Sequence, residues 1–375
     1  MKKGWETKRL GDVCQTQAGG TPLSSRKEYY DGGKIPWLLS GEVSQGEVHS
    51  ATKFITKAGL ENSAAKLFPK DTVLVAMYGA TAGQVGILRF EAATNQAVCG
   101  ILPNNEFVPE FLFYYFLAKK GDLVAQAAGN AQPNISQIKI RNIDVPIPPL
   151  AQQQRIVGLL DEAFASLATA QANAEKNLQN ARALFACHLQ SVFTQRGKGW
   201  VEKTLAEACE MYQPKTICTK DLVPNGLYPV FGANGIIGRY NKFNHEEPQI
   251  LVTCRGATCG AVNVSEPFSW ITGNAMVVRP KDSALNLHFL EFFFRGGIDI
   301  SRAITGAAQP QITRTNLSPL VIHFPKSVGD QKEIAEKCDA LSAETRRLEA
   351  LYQQKLAALA ALKKSLLHQA FSGNL

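Results

Sequence analysis

Between Ala151 and Phe193, apolar or small residues return at 156, 160, 163, 167, 170, 174, 178, 181, 185, 189 and 192, in alternating steps of three and four. The same phase runs through Ile334, Cys338, Leu341, Thr345, Leu348, Tyr352, Leu356, Leu359, Leu362, Leu366 and Ala370. Such steps lay one stripe along a helix, and over many turns the stripe becomes a coiled-coil seam. About 43 residues at 1.5 Å each span roughly 65 Å, too long for a helix inside one compact domain. Each rod is therefore expected to pair with the other, antiparallel. Before each rod stand Val145-Pro146-Ile147-Pro148-Pro149 and Val321-Ile322-His323-Phe324-Pro325, where proline enforces extended backbone. Elsewhere the pattern shortens. Asp71 to Met77 and Gln249 to Cys254 predict strands closed by glycine-rich turns, and the aromatic runs 111–116 and 289–294 predict one short helix each.

These elements come in two sets. Trp5, Leu10 and Cys14 recur with identical spacing as Trp200, Leu205 and Cys209. Gly79-Ala80-Thr81-Ala82-Gly83 returns as Gly256-Ala257-Thr258-Cys259-Gly260, the aromatic runs match, and Gly129 to Ile135 matches Gly306 to Ile312 through their Gln-Pro dipeptides. The offset is about 195 residues at the module starts and about 178 later. A repeat at this scale marks two copies of one folding unit. Residues 19–40 have no evident counterpart among 214–245, so a shared scaffold with different surfaces is expected. The fold class is α+β: two similar, strand-rich mixed domains separated by two long antiparallel coiled-coil helices, a dumbbell with pseudo-two-fold symmetry. The boundaries are 1–150 for the first module, 151–195 for the first helix, 196–325 for the second module and 326–375 for the second helix.

Composition sharpens this outline. A length of 375 residues suits two or three domains. No run of about 18 apolar residues offers a membrane span, and the N-terminal residues lack the apolar core of a secretion signal, so a cytoplasmic protein is expected. A net charge of +8 favours a polyanionic partner. The eight cysteines form no CxxC pair and read as reduced, small apolar residues. Cys254 and Cys259 near His245 lack the second ligand pair of a zinc site. There is no amino-methyltransferase Asn/Asp-Pro-Pro-Tyr/Phe signature, Walker loop or His-Glu-x-x-His. Gly232-x-x-Gly235-x-x-Gly238 imitates a dinucleotide loop without a convincing helix after it, so turn glycines account for it better. Neither an enzyme nor a metal site is expected.

The paired Trp-x4-Leu-x3-Cys motifs, Gly19-Gly20-Thr21-Pro22, Ile35-Pro36-Trp37, Tyr228 to Gly238, both Gly-Ala-Thr turns, both Gln-Pro blocks and the two helices, in this order, resemble the DNA-specificity subunit of type I restriction-modification enzymes over essentially the whole chain. The resemblance implies a non-catalytic subunit whose two target-recognition domains each read half of a bipartite, asymmetric site in double-stranded DNA. It implies that the helices set the spacer and dock two methyltransferase subunits, with restriction subunits joining that core. No cofactor is expected in this chain; S-adenosylmethionine, ATP and Mg are implied for the partner subunits.

Candidate DNA-contacting residues follow from side-chain chemistry. Thr21, Ser24, Ser25, Arg26, Lys27 and Tyr29 combine hydroxyls, cations and an aromatic on a loop. Arginine and lysine suit guanine O6/N7 or phosphate, and serine and threonine position the backbone. Lys215, Thr216, Asn234, Arg239 and Arg255 occupy comparable ground in the second module. Asn234 has the amide geometry for adenine, although a left-handed turn also selects asparagine there. Tyr78, Thr81 and Thr258 flank or form the Gly-Ala-Thr turns, whose amides suit phosphate as readily as their glycines suit a tight connection. Gln132, Asn134 and Lys139, with Gln309, Gln311 and Arg314, form the Gln-Pro blocks, where equivalence between modules favours phosphate contact over base readout. Two rival functions stand beside this reading: a standalone DNA-modifying enzyme with an unrecognised active site, and an adaptor that binds no DNA.

Overall fold

The computed structural model describes residues 5–127, 134–195, 197, 199–306, 309–372 and 375. The chain divides into two compact units, Met1–Asn173 with Lys355–Leu375, and Ala174–Gln354. Each unit therefore holds one module and a piece of both long helices, which run Leu150–Thr194 and Val328–Ser372. No helix among the described residues is long and apolar enough to cross a membrane.

The two units are built alike. In the first, strand Glu6–Arg9 pairs antiparallel with Asp144–Ile147, and a one-turn helix, Leu10–Val13, follows. In the second, Trp200–Thr204 pairs with Val321–Pro325, and Leu205–Ala208 follows. The repeated Leu10 and Leu205 are fully buried, and burial pushes the Cys14 and Cys209 thiols up to about 11 and about 12, so both stay protonated as small apolar side chains. The central sheet of the first unit has the order Thr16–Ala18, Val98–Ile101, Val73–Ala76, Val85–Leu88, Glu47–Val48. That of the second has the order Cys209–Tyr212, Ala275–Pro280, Ile250–Thr253, Val262–Val264. Val73–Ala76 and Ile250–Thr253 are buried at every position, which is why their sequences read as apolar runs.

The structure corrects the expected break in the repeat. Ile35–Leu38 pairs in parallel with Ala92–Thr94, and Tyr228–Gly232 pairs in parallel with Trp270–Ile271, so one strand within residues 19–40 does have a counterpart. After these strands the units differ. The first inserts strands Phe54–Ile55 and Leu67–Phe68 around a short helix, Lys57–Glu61, whereas the second turns straight back as Gly235–Tyr240. The aromatic helices also differ from one short helix each. Pro109–Ala127 runs 19 residues, while Leu287–Phe292 gives way to a π-turn at Phe293–Gly297. A Cβ on Gly296 would lie 2.6 Å from Leu189 Cβ, and one on Gly297 2.7 Å from the Phe193 ring, so these glycines let the first long helix approach.

Within each unit the helix pieces are antiparallel. In the first, Ile156, Val157 and Leu160 share a core with Leu367 and Ala370, and Lys363 Nζ lies 4.9 Å from the Phe164 ring centre. In the second, Leu189 and Phe193 share a core with Ala335 and Cys338, and Arg182 pairs with Glu349 at 3.1 Å. Phe371 packs edge-on against Phe111 and Tyr115, and Phe193 does the same against Phe289 and Phe293. The expected seam is buried or half-buried throughout except at Leu362, which is 47% exposed.

One polar device recurs where each module meets its helix. Gln153 is fully buried; its Oε1 accepts from Val108 N at 2.9 Å and its Nε2 donates to Glu106 O at 2.8 Å and Pro148 O at 2.9 Å. Gln331, equally buried, accepts from Asn286 N at 2.7 Å and donates to Ala284 O at 2.8 Å and Pro325 O at 2.7 Å. Backbone groups that irregular chain would otherwise bury unpaired are thereby satisfied.

Candidate nucleic-acid interface

The strand directions gather the candidate loops at one end of each central sheet. In the first unit, Thr16–Ala18 and Val73–Ala76 finish where Val98–Ile101 begins. Gly19 N donates to Val98 O at 3.0 Å, Gly20 N to Thr94 O at 2.9 Å, and Met77 N to Ala97 O at 2.8 Å. The Gly-Gly pair is required by crowding: a Cβ on Gly20 would lie 2.2 Å from the backbone of Ala64 and Ala65. Thr21 then reaches the Gln96 side chain. Next to it Tyr78, 37% exposed, forms a β-bridge with Asn134, and Ile135 N donates to Met77 O at 2.9 Å. Helix Gln137–Arg141 follows, capped by Ser136, and Lys139 Nζ donates to Asn134 O at 3.4 Å. Thr21, Tyr78, Thr81, Asn134 and Lys139 thus belong to one end of one sheet; Gln132 lies outside the described residues.

Ser24, Ser25, Arg26 and Lys27 are exposed on the loop that leaves this end, and Tyr29 is half-buried. Arg26 pairs with Glu28 at 3.1 Å, which holds the Glu28 carboxyl below its usual range together with a backbone hydrogen bond, the larger cause. Two aromatic side chains shape the loop. Tyr30 donates to Pro22 O at 2.5 Å, and Trp37 Nε1 donates to Gly20 O at 3.0 Å.

The second unit assembles the equivalent end. Gln213 Nε2 donates to Gly273 O at 3.1 Å, carrying exposed Lys215 and Thr216 beside the sheet. Asn234 caps the hairpin between Tyr228–Gly232 and Gly235–Tyr240, and the left-handed residue there is Gly235, with φ +109°, not the asparagine. Asn234 Oδ1 accepts from Asn263 Nδ2 at 3.2 Å, and Thr253 Oγ1 donates to Ala233 O, tying the hairpin tip to the sheet. Arg255 forms a β-bridge with Gln311, and Ile312 N donates to Cys254 O at 2.9 Å. Thr258, Gln309, Gln311 and Arg314 are exposed, with Arg314 opening the helix Arg314–Leu317. Arg239 instead staples its own loop, its guanidinium donating to Gly226 O at 2.6 Å and Leu227 O at 2.7 Å. His245 is bonded to Tyr212 at 2.8 Å and to Asn244 at 2.7 Å, and the Cys254 thiol is buried.

The Gly-Ala-Thr turns do not hold all their amides out for phosphate. Ala82, Gly83 and Gln84 donate to Gly79 O, Ala76 O and Thr81 O, and Cys259, Gly260 and Ala261 donate to Gly256 O, Thr253 O and Thr258 O. Asn95 and Gln96 join the same end of the first sheet without having stood out in the sequence. Their only signal there is a polar pair between two alternating segments.

Two copies of one sheet, each gathering polar and basic loops at the same end, define a protein built from a duplicated module. The family described as type I restriction modification DNA specificity domain matches residues 2–178 and 197–358, and the chain belongs to it. It is 24% identical to the type I restriction enzyme EcoprrI specificity subunit of Escherichia coli over 356 residues, 89% of this chain and 87% of that protein. The EcoR124I/EcoR124II specificity subunit of Escherichia coli is 25% identical over 162 residues, 42% of this chain but only 40% of the relative. The MjaIX specificity subunit of Methanocaldococcus jannaschii is 29% identical over 165 residues, 43% of this chain but only 38% of the relative. Among solved structures, a chain from work on complex assembly and conformational transition of the type I R-M system has a TM-score of 0.82 at 20% identity, covering 100% of this chain and 99% of that one. The HsdS subunit from Thermoanaerobacter tengcongensis has a TM-score of 0.62 at 19% identity, covering 100% of this chain and 98% of that one. At these identities the likeness is one of fold.

Proposed function

We propose that the chain is the non-catalytic recognition subunit of a type I restriction-modification complex, each module reading one half of a bipartite, asymmetric target in double-stranded DNA. The observation that carries this is the repeated sheet end. The scaffold at that end is the same in both units, while its exposed side chains differ: Tyr78 against Arg255 and Asn134 against Gln311. Equal scaffolds suit equal docking on duplex backbone, and unequal side chains suit unequal sequences. The residue count of the two long helices sets the number of base pairs between the half-sites, and the helices dock two methyltransferase subunits, to which restriction subunits add. S-adenosylmethionine, ATP and Mg serve those partners.

Selection from randomised duplexes, with the chain assembled with its methyltransferase subunits, tests this. Two short defined segments at a fixed spacing are expected; a flat profile overturns the proposal. Inserting about seven residues, two helical turns, into both long helices changes the selected spacing and leaves the segments unaltered.

A further inference from the structure

Positions 78 and 255 are the same place in the two modules. Both precede a Gly-Ala-Thr turn, and both bridge to the residue after a Gln-Pro dipeptide, Tyr78 to Asn134 and Arg255 to Gln311. Both are held by the same flanking bonds, Ile135 N to Met77 O and Ile312 N to Cys254 O, each 2.9 Å. On the strand side, Met77 N donates to Ala97 O at 2.8 Å and Cys254 N to Asn274 O at 3.3 Å. The side chain at this position thus leaves a backbone pinned from two directions, which is how a contact is preorganised.

Resting on the DNA-reading function proposed above, we infer that this shared position reads a base in each half-site, and that Arg255 makes a guanine obligatory in the half-site of the second module. The guanidinium is available for it. Among the described arginines of the second unit, Arg182, Arg279, Arg295, Arg302 and Arg347 are paired with carboxylates, Arg239 with carbonyls and Arg346 with Ser342. Arg255 and Arg314 alone have neither an ion pair nor a side-chain hydrogen bond among the described residues. A rigidly rooted, uncommitted guanidinium presents two parallel donors that match guanine O6 and N7 in the major groove. A phosphate contact would serve both modules equally. Yet the turn, the bridge and the flanking bonds are duplicated while the exposed side chain changes from Tyr78 to Arg255, and that pattern belongs to sequence readout. Tyr78 has no fork, so the first half-site carries no guanine requirement from this position.

The test is specificity profiling on randomised duplexes with the full chain and its methyltransferase subunits, comparing the unaltered protein with Arg255→Ala, Arg255→Lys and Tyr78→Ala. Arg302→Ala, which removes an exposed charge paired with Asp299 in the same unit, serves as control. Arg255→Ala loses about 10- to 100-fold of preference for guanine at one base pair of one half-site and leaves every other position intact, which also shows that the variant is folded. Arg255→Lys, a point charge without the fork, restores binding strength but only part of the preference. Tyr78→Ala alters one position in the other half-site only. Uniform weakening of all sequences by Arg255→Ala, with a shallower salt dependence, identifies a phosphate contact and overturns the inference while leaving the proposed function standing. A flat profile for the unaltered protein overturns both.

Discussion

Replacing Gln153 with methionine tests the clamp between module and helix. The side chain has no solvent exposure and satisfies three backbone groups: Val108 N–H, the Glu106 carbonyl and the Pro148 carbonyl. Methionine nearly conserves volume, so the cavity contribution is small and the loss falls on the hydrogen bonds. The bond to the Pro148 carbonyl is buried and those to Val108 N–H and the Glu106 carbonyl are part-buried, where water can replace some of what is lost, so together they are worth about 2–4 kcal/mol, a large share of a typical domain's stability. Gln331→Met, which orphans Asn286 N–H and the Ala284 and Pro325 carbonyls, should cost a similar amount. Urea unfolding measures both variants, and hydrogen exchange at Val108 and Asn286 reports whether the predicted amides have lost their acceptors. A loss below about 1 kcal/mol, or unchanged exchange at those amides, would show that the clamp is not what holds these segments.

Gly296→Ala places a Cβ 2.6 Å from Leu189 Cβ and should lower the stability of the second unit by about 1–3 kcal/mol; an unchanged melting temperature would mean that the helices are not in close contact there. Acid should weaken the first unit through Arg89, whose hydrogen bond and charge hold the Glu47 carboxyl below its usual range. The folded state then binds fewer protons than the unfolded one, so this contribution is complete above about pH 5 and fades as pH falls through the lowered value. Arg89→Met should flatten that part of the stability profile, and an identical acid slope in the variant would exclude the pair as its source. Lys139→Ala and Arg314→Ala should each weaken binding to all duplexes alike and reduce the salt slope by about 0.9, measured by titration at several ionic strengths; a change confined to one sequence would mark them as base readers instead.

Much of the molecule was legible from order and period alone. The doubled Trp-x4-Leu-x3-Cys motif, the Gly-Ala-Thr turns and the helical stripe each answer a local demand: a buried leucine after a strand, a left-handed glycine, a covered helix face. Local demands leave local marks. The matched strands Ile35–Leu38 and Tyr228–Gly232 share only a proline at their second position, too little to align them, because the insertions after them differ in length and a strand of four or five residues carries little pattern.

Side-chain partners were decided by closure of the chain. Gln152, Gln153 and Gln154 are indistinguishable in a row, yet only the middle one is buried, because a segment some 45 residues earlier in the chain folds over that face. Leu362 keeps the heptad phase but is exposed, since periodicity orients a residue without supplying what covers it. Arg239 and Arg255 both stand in glycine-rich turns, yet one staples two carbonyls of its own loop while the other, set at the sheet end by a bridge to Gln311, has no side-chain hydrogen bond or ion pair among the described residues. By itself the sequence determined that there are two modules, that two long helices follow them and which faces of those helices are apolar, since these follow from repetition and hydrophobic period. Which polar groups are spent inside the fold and which are left exposed at the sheet ends was decided only by the tertiary structure, because hydrogen bonds are satisfied by neighbours in space and those neighbours come from distant parts of the chain.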